Sequence, residues 1–126
     1  MPITIERLQS RIYASSWIDH VSIEDMQAAV AQRQEMADAD HARSYVSIVD
    51  VSRVGSIPFN LESLRQAMEM DPRVLRFLVV GVTLQARILV ESLVKITQVK
   101  VEFVISAEDA LQRAQALLEE DDQNGD

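Results

Sequence analysis

The sequence predicts an α/β fold: a single compact domain built on a mostly parallel, five-stranded mixed sheet with four helices, in the order ββαβαβαβα. Three observations carry this. Short β-branched segments alternate along the chain with stretches of helical periodicity, the pattern that gives a parallel sheet under helical cover. Two of those segments, Tyr45 to Val51 and Val74 to Val80, are almost continuously apolar, as strands buried on both faces are. The chain has 126 residues, of which 48 % are hydrophobic and 25 % charged, a globular balance. A chain of this size buries roughly two-thirds of its unfolded surface, so the absence of cysteine does not compromise its core.

Each element has a local reason. Ile3 to Leu8 and Arg11 to Ile18 alternate apolar and polar residues, as half-buried strands do, and Gln9-Ser10 permits a hairpin between them. Ser22 and Asp25 have the spacing of a capping box. Ile23, Met26, Val30 and Ala37 follow at helical intervals, so a helix is predicted from Ser22 to Asp38. Asp38 to Arg43 is a polar loop, and Tyr45 to Val51 is the central strand. Gly55 and Pro58 break the chain after it. Asn60 caps a short second helix with Leu61, Leu64 and Met68 on its apolar stripe, ended by Asp71-Pro72.

Val74 to Val80 is the next buried strand, ended by Gly81. Thr83 caps a third helix with Leu89, Leu93 and Ile96 on one face and the ladder Arg87, Glu91, Lys95 on the solvated one. Val99, Val101, Phe103 and Ile105 alternate with Lys100 and Glu102, which places this strand near a sheet edge. Ser106 and Asp109 repeat the capping box, and Leu111, Ala114, Leu117 and Leu118 line the last helix.

Net charge is −8, unevenly spread. Glu119, Glu120, Asp121, Asp122 and Asp126 hold five of the twenty acids, leaving fifteen against twelve bases elsewhere. The domain is therefore predicted over 1–118, with 119–126 a disordered acidic tail. The bases are mostly arginines scattered from Arg7 to Arg113, with no basic stripe, so nucleic acid is not an expected partner. The beginning MPITIERLQSR carries charges where a secretory signal has its apolar core. The most apolar stretch, Phe77 to Leu84, is eight residues, against the ~20 that span a bilayer. A cytoplasmic location without membrane insertion is expected.

The chemical inventory is short. With no cysteine there is no thiolate ligand or nucleophile. His20 and His41 fall in polar loops with no partner at helical spacing, so no metal is expected. The three glycines form no GxGxxG or GxxxxGK[ST] cradle, GxSxG is missing, and no cofactor is expected. Glu24 and Asp25 complement a helix dipole. Asp50, at the end of the central strand, reads as a turn-stabilising residue before Ser52. Four methionines, Met26, Met36, Met68 and Met70, read as core filler. Trp17 fits either an interface or packing within the fold.

The unusual segment is Ser52 to Asn60, which joins the central strand to the second helix. In open α/β sheets function sits beyond the carboxyl ends of the strands. That rim would hold Ser52, Arg53, Ser56, Phe59 and Asn60, with Thr83 and Ser106 on neighbouring loops. Phe59 is either an exposed anchor for a partner or a staple under the helix. Ser56 is read as a turn serine rather than a phosphoacceptor.

Ile48-Val-Asp-Val-Ser-Arg-Val54, followed by Ile57 and a helix at Leu61, resembles the anti-sigma-factor antagonist (STAS, SpoIIAA-like) family, whose element order is similar to this one across nearly the whole chain. Phe77-Leu-Val-Val-Gly81 and Val101 to Leu111 resemble its later elements. In that family a strand ending in Asp-Leu-Ser leads to an Asp-Ser-Ser-Gly-Leu turn, one serine of which is phosphorylated. Here Ser56 to Leu61 reads Ser-Ile-Pro-Phe-Asn-Leu, and the matching turn positions are Pro58, Phe59 and Asn60. The phosphoacceptor serine is absent, so the switch is not carried over.

The resemblance implies a STAS/SpoIIAA-like domain acting as a non-enzymatic module for a regulatory protein, of kinase or anti-sigma type. Its partner-binding residues would be Ser52, Arg53, Ser56, Pro58, Phe59, Asn60 and Thr83. The alternative is a small apolar ligand or lipid-binding protein of the same fold. An enzyme using Asp50 with Arg53 or Ser56 ranks last, since no base–nucleophile–orienter set is legible. A homodimer through a strand edge or the amphipathic helices is left open.

Overall fold

In the computed structural model, the described residues are 2–56, 71–84 and 100–124, with Arg87, Ile88, Glu91 and Lys95 between them. One five-stranded sheet runs in the order β1 (Ile3–Gln9), β2 (Ile12–His20), β3 (Tyr45–Ser56), β4 (Val74–Val80), β5 (Val101–Val104). β1 and β2 are antiparallel, and every later pairing is parallel. The expected mixed, mostly parallel α/β sheet is present, with Tyr45 to Val51 at its centre and the alternating strand at an edge.

The hairpin turns at Ser10-Arg11, one residue later than predicted, with Arg11 in the left-handed region at φ 70. β2 extends to His20, so this histidine ends a strand rather than lying in a loop. β5 is shorter than its pattern: Ile105 has left the strand, and Val99 lies outside the described residues.

Helix α1 (Ile23–Ala39) starts as its capping box dictates. Ser22 Oγ accepts from the Asp25 amide at 3.1 Å, and the Asp25 carboxylate accepts from the Ser22 amide at 2.9 Å. These bonds hold the Asp25 carboxyl below its ordinary range, and such a cap contributes about 1 kcal/mol. Helix α2 (Ala107–Asn124) opens with the Ser106 hydroxyl accepting from the Asp109 amide at 3.1 Å.

Of the four predicted helices, these two are described from end to end. The one expected after Asn60 falls outside the described residues. In the third, Leu84, Arg87, Ile88, Glu91 and Lys95 are helical, which agrees with the predicted ladder.

The two helices cover opposite faces of the sheet. Ala110, Ala114, Leu117 and Leu118 of α2 pack on Ile12, Val46, Ile48, Leu78 and Val80. On the other face Met26 of α1 packs with Ile3, Val21 and the half-buried Trp17, and Ala37 packs with Tyr13 and Tyr45. Trp17 thus packs within the fold, its indole N–H donating to Ser15 Oγ at 3.2 Å. Met26 is core filler as expected, and Met68 and Met70 lie outside the described residues. The two tyrosine rings meet edge to face, 5.3 Å apart. Full burial of aromatic and aliphatic side chains of this size contributes about 1.5–3 kcal/mol each.

The acidic tail departs from expectation. α2 continues through Glu119 to Asn124. Four consecutive acids at a helix C-terminus oppose its dipole, and an arginine from the hairpin turn compensates. Arg11 Nη1 donates to Asp122 at 2.9 Å, Arg11 Nε to the Ser44 carbonyl at 2.8 Å, and Ser44 Oγ to Asp121 at 2.7 Å. Arg11→Ala is expected to fray this last turn while lowering global stability by no more than about 1 kcal/mol. Faster amide exchange confined to 119–124 is the measurement that checks it.

Candidate functional site

The parallel strands finish side by side, with Asp50 opposite Val80 and Val80 opposite Val104. β3 then runs on alone past β4, pairing Arg53, Val54 and Ser56 with Ile18, Asp19 and His20 of β2. Two register shifts and the left-handed Asp19 (φ 58) twist this extension. At this level β3 continues through Ser52, while the chain leaves β4 at Gly81 and β5 at Ile105.

Asp50 braces β3 at the level where β4 ends. Its Oδ1 accepts from the Ser52 amide at 2.9 Å and from the Ser52 hydroxyl at 2.6 Å. Both bonds go to one neighbour, but no turn follows: β3 continues through Ser52 to Ser56, so the turn-stabilising role expected of Asp50 is instead a bracing of the strand where it passes the end of β4. Gly81 packs directly behind Ser52: a Cβ on Gly81 would lie 2.5 Å from Ser52 Cβ. At φ +77 this position is open to glycine at little cost and to few other residues.

Ser52, Arg53 and Thr83 therefore come to the same end of the sheet, and all three are exposed. The Thr83 carbonyl accepts from the Arg87 amide at 2.9 Å and so starts the helical stretch. Ser56 ends β3 opposite His20. Pro58, Phe59 and Asn60 lie outside the described residues.

The structure adds apolar residues to this rim. Leu84 is 75 % exposed, Ile88 58 % and Ile105 91 %. Leu84 and Ile88 are four residues apart and share one helix face. Beside them Arg87 lies over the Phe103 ring at 4.8 Å and donates to Glu91 at 3.0 Å. Sequence reasoning missed these three residues. The signals were present: Ile105 continues the alternation of Val101 and Phe103 one step past the strand, and Leu84 and Ile88 stand off the Leu89, Leu93, Ile96 stripe.

A second omission lies inside the fold. Arg33 stands on the buried stripe of α1 between Val30 and Ala37. The gap in the predicted apolar stripe was its signal. Tyr45, which opens β3, donates to Asp71 at 2.7 Å and accepts from Arg33 at 3.0 Å. Burial pushes the Tyr45 phenol up. Burial also pushes the Asp71 carboxyl up, but hydrogen bonds from Arg73 and Tyr45 outweigh it, and the net displacement is downward.

Among the described residues no three His, Asp or Glu side chains gather where a metal ion could be held. Among them, too, no helix is long and apolar enough to cross a membrane.

No protein-family model matches the sequence, and no curated protein matches it at a significant level. Solved structures do match. An uncharacterized DUF3478-family protein with a SpoIIAA-like fold, from Shewanella loihica PV-4, superposes with a TM-score of 0.63 at 16 % identity, covering 89 % of this chain and 91 % of the other. The anti-sigma factor antagonist SpoIIAA, in its unphosphorylated form, superposes with a TM-score of 0.63 at 8 % identity, covering 90 % and 96 %. The chain has a SpoIIAA-like α/β fold, as the resemblance implied.

Proposed function

We propose that this protein is a non-enzymatic regulatory module that docks a partner protein on the carboxyl rim of its sheet. The observation that carries the reading is the convergence there of exposed Arg53, Leu84, Ile88 and Ile105 on a rigid edge. Large apolar side chains and arginine are the residue types that anchor protein interfaces. An exposed apolar cluster beside polar groups is typical of such a surface.

The partner is a regulatory protein of the anti-sigma or kinase type, by analogy with SpoIIAA, an anti-sigma factor antagonist of the same fold. Phe59, Pro58 and Asn60 belong to the docking loop in this reading, and Ser56 to its start. With no serine at the matching turn position, partner release does not rest on phosphorylation there. The Ser52 hydroxyl, which donates to Asp50, is an unfavourable substitute, because a phosphate there would face a carboxylate.

The test is affinity capture with four forms of the full chain. Wild type is expected to retain a specific regulatory protein. Arg53→Glu, Phe59→Ala and the double variant Leu84→Ser/Ile105→Ser are each expected to weaken capture about tenfold or more, with unchanged circular dichroism. Capture that ignores all three variants would remove the rim as the docking surface.

A further inference from the structure

Strand β1 is an edge of the sheet: among the described residues it pairs with β2 alone. One bond fixes the direction of its backbone groups. The Pro2 carbonyl accepts from the Ile18 amide at 2.8 Å, so these two residues are a hydrogen-bonded pair. Along an antiparallel ladder such pairs alternate with pairs that exchange no bond. The register from Ile3↔Trp17 to Arg7↔Tyr13 is unbroken. Thr4 and Glu6 therefore turn their amides and carbonyls toward Ser16 and Ala14. Ile3, Ile5 and Arg7 turn theirs away from the sheet.

The side chains of this outward row lie under α1. Ile3 and Ile5 pack in the clusters there, and Arg7 Nε donates to the Asp40 carboxylate at 3.0 and 3.1 Å. Thr4 and Glu6 point to the opposite face and are exposed. Edge strands are commonly blunted by proline, a bulge or a charge. Here Pro2 and the bulge at Leu8 stand at the ends of the row, and Arg7 within it is neutralised by Asp40.

We infer that β1 pairs antiparallel with β1 of a second copy of this chain, about a two-fold axis at Ile5. The sheet would then run continuously through both domains. The axis must fall on a residue, because opposed side chains share one face. Centred on Ile5, the bonded pairs are Ile3 with Arg7, Ile5 with Ile5 and Arg7 with Ile3. Every outward amide and carbonyl of the row is then satisfied. Thr4 stands opposite Glu6 of the second copy, hydroxyl to carboxylate. Leu8, 38 % exposed, comes beside Pro2 of the second copy. Ile5, partly buried where two core clusters meet, is covered by its own counterpart.

The neighbouring registers are worse. Centred on Glu6, two carboxylates would face each other at the close spacing of a non-bonded pair. Centred on Arg7, two guanidiniums would, and the bulge would break the ladder. Centred on Thr4, Arg7 would lie beyond Pro2 of the second copy. This match of the strand to itself, in hydrogen bonds, charge and apolar contact, selects a second copy over a foreign strand. Ile105 follows β5 at the other edge of the sheet, so the apolar part of the rim stays open in the dimer. Pairing at β1 is independent of docking there.

The test is sedimentation velocity of the full chain, with amide exchange on the same samples. Wild type is expected to pass from 14.2 kDa to twice that mass between roughly 1 and 500 μM, the range of a small interface. The amides of Ile3, Ile5 and Arg7 are expected to slow as the dimer forms, while those of Thr4 and Glu6 are protected throughout. Thr4→Glu sets an acid against Glu6 and is expected to weaken association about tenfold. The double variant Thr4→Glu/Glu6→Lys is expected to regain wild-type association or better, a rescue that damage to the fold would not give.

A chain that stays at 14.2 kDa over the whole range overturns the inference. So does a dimer whose Ile3, Ile5 and Arg7 amides exchange at the monomer rate, since its contact would lie elsewhere. Association that ignores Thr4→Glu, or that Glu6→Lys does not rescue, overturns the register centred on Ile5.

Discussion

Gly81→Ala is expected to lower the unfolding free energy by about 3 kcal/mol and Tm by roughly 10 °C. Two costs combine. The φ of +77 puts any residue with a Cβ in a region that costs about 1–2 kcal/mol. The new methyl would also stand 2.5 Å from Ser52 Cβ and 2.8 Å from Ser52 Cα. The second contact involves backbone, so no rotamer change relieves it. Strands β3 and β4 would have to part where Asp50 pairs with Val80. Gly55 is the control: a Cβ there would lie 3.4 Å from the Asp19 carbonyl, an ordinary contact without a positive φ. Gly55→Ala is expected within about 0.5 kcal/mol of wild type. Urea titrations of the three proteins check both values. A Gly81→Ala protein within about 1 kcal/mol of wild type would mean that the loop after β4 does not press on Ser52.

The same contact explains why the rim is a fixed surface. Ser52 is held from one side by Asp50 and backed from the other by Gly81, and the residues that follow are held by pairing with β2 through Ser56. In the proposed docking reading, binding at Ser52 and Arg53 would then cost little ordering entropy.

How much of this was legible in the sequence depended on whether the cause was local. The cap at Ser22 and Asp25 and the continuous apolar run of β3 are decided by residues a few places apart, and both were read correctly, whereas the turn expected at Asp50 and Ser52 is strand, because pairing with β2 carries β3 on to Ser56. The hairpin turn shifted by one residue because Ser10-Arg11 has no glycine or asparagine to announce a left-handed position. The acidic end was misjudged because its stabilisation is remote: Asp122 is anchored by Arg11, more than a hundred residues earlier in the chain. Arg33 was passed over because helical periodicity treats an arginine as solvated, and only the partners on β3 and β4 reveal a buried one. Ile105 was read as an extension of β5, and the strand pairing that stops at Val104 leaves it in solvent instead.

Acid should reveal the second large effect, at Glu102. This edge-strand residue accepts from Arg113 at 2.8 and 2.9 Å and also from Arg76 across the sheet. The Arg113 bonds outweigh the opposing effect of burial, Arg76 adds to them, and the carboxyl is held at about 2 against an ordinary 4.5. The folded chain therefore keeps Glu102 ionised to lower pH than the unfolded chain does. The resulting stabilisation is complete above about pH 4.5, falls as protons bind the unfolded state first, and is gone near pH 2. The full displacement corresponds to roughly 3 kcal/mol, and solvent screening at this partly exposed site reduces it to about 1–2 kcal/mol. Glu102→Gln is expected to cost about 2 kcal/mol at pH 7, because it leaves two arginines facing a neutral amide. That deficit should shrink between pH 4.5 and 2, where wild type loses the same charge. Asp40 and Asp71, also held low by arginine partners, keep titrating in both proteins, so the difference between the two curves isolates Glu102. Curves that stay parallel down to pH 2 would mean that the loss at Glu102 is one of packing, with no charge contribution from Arg76 and Arg113.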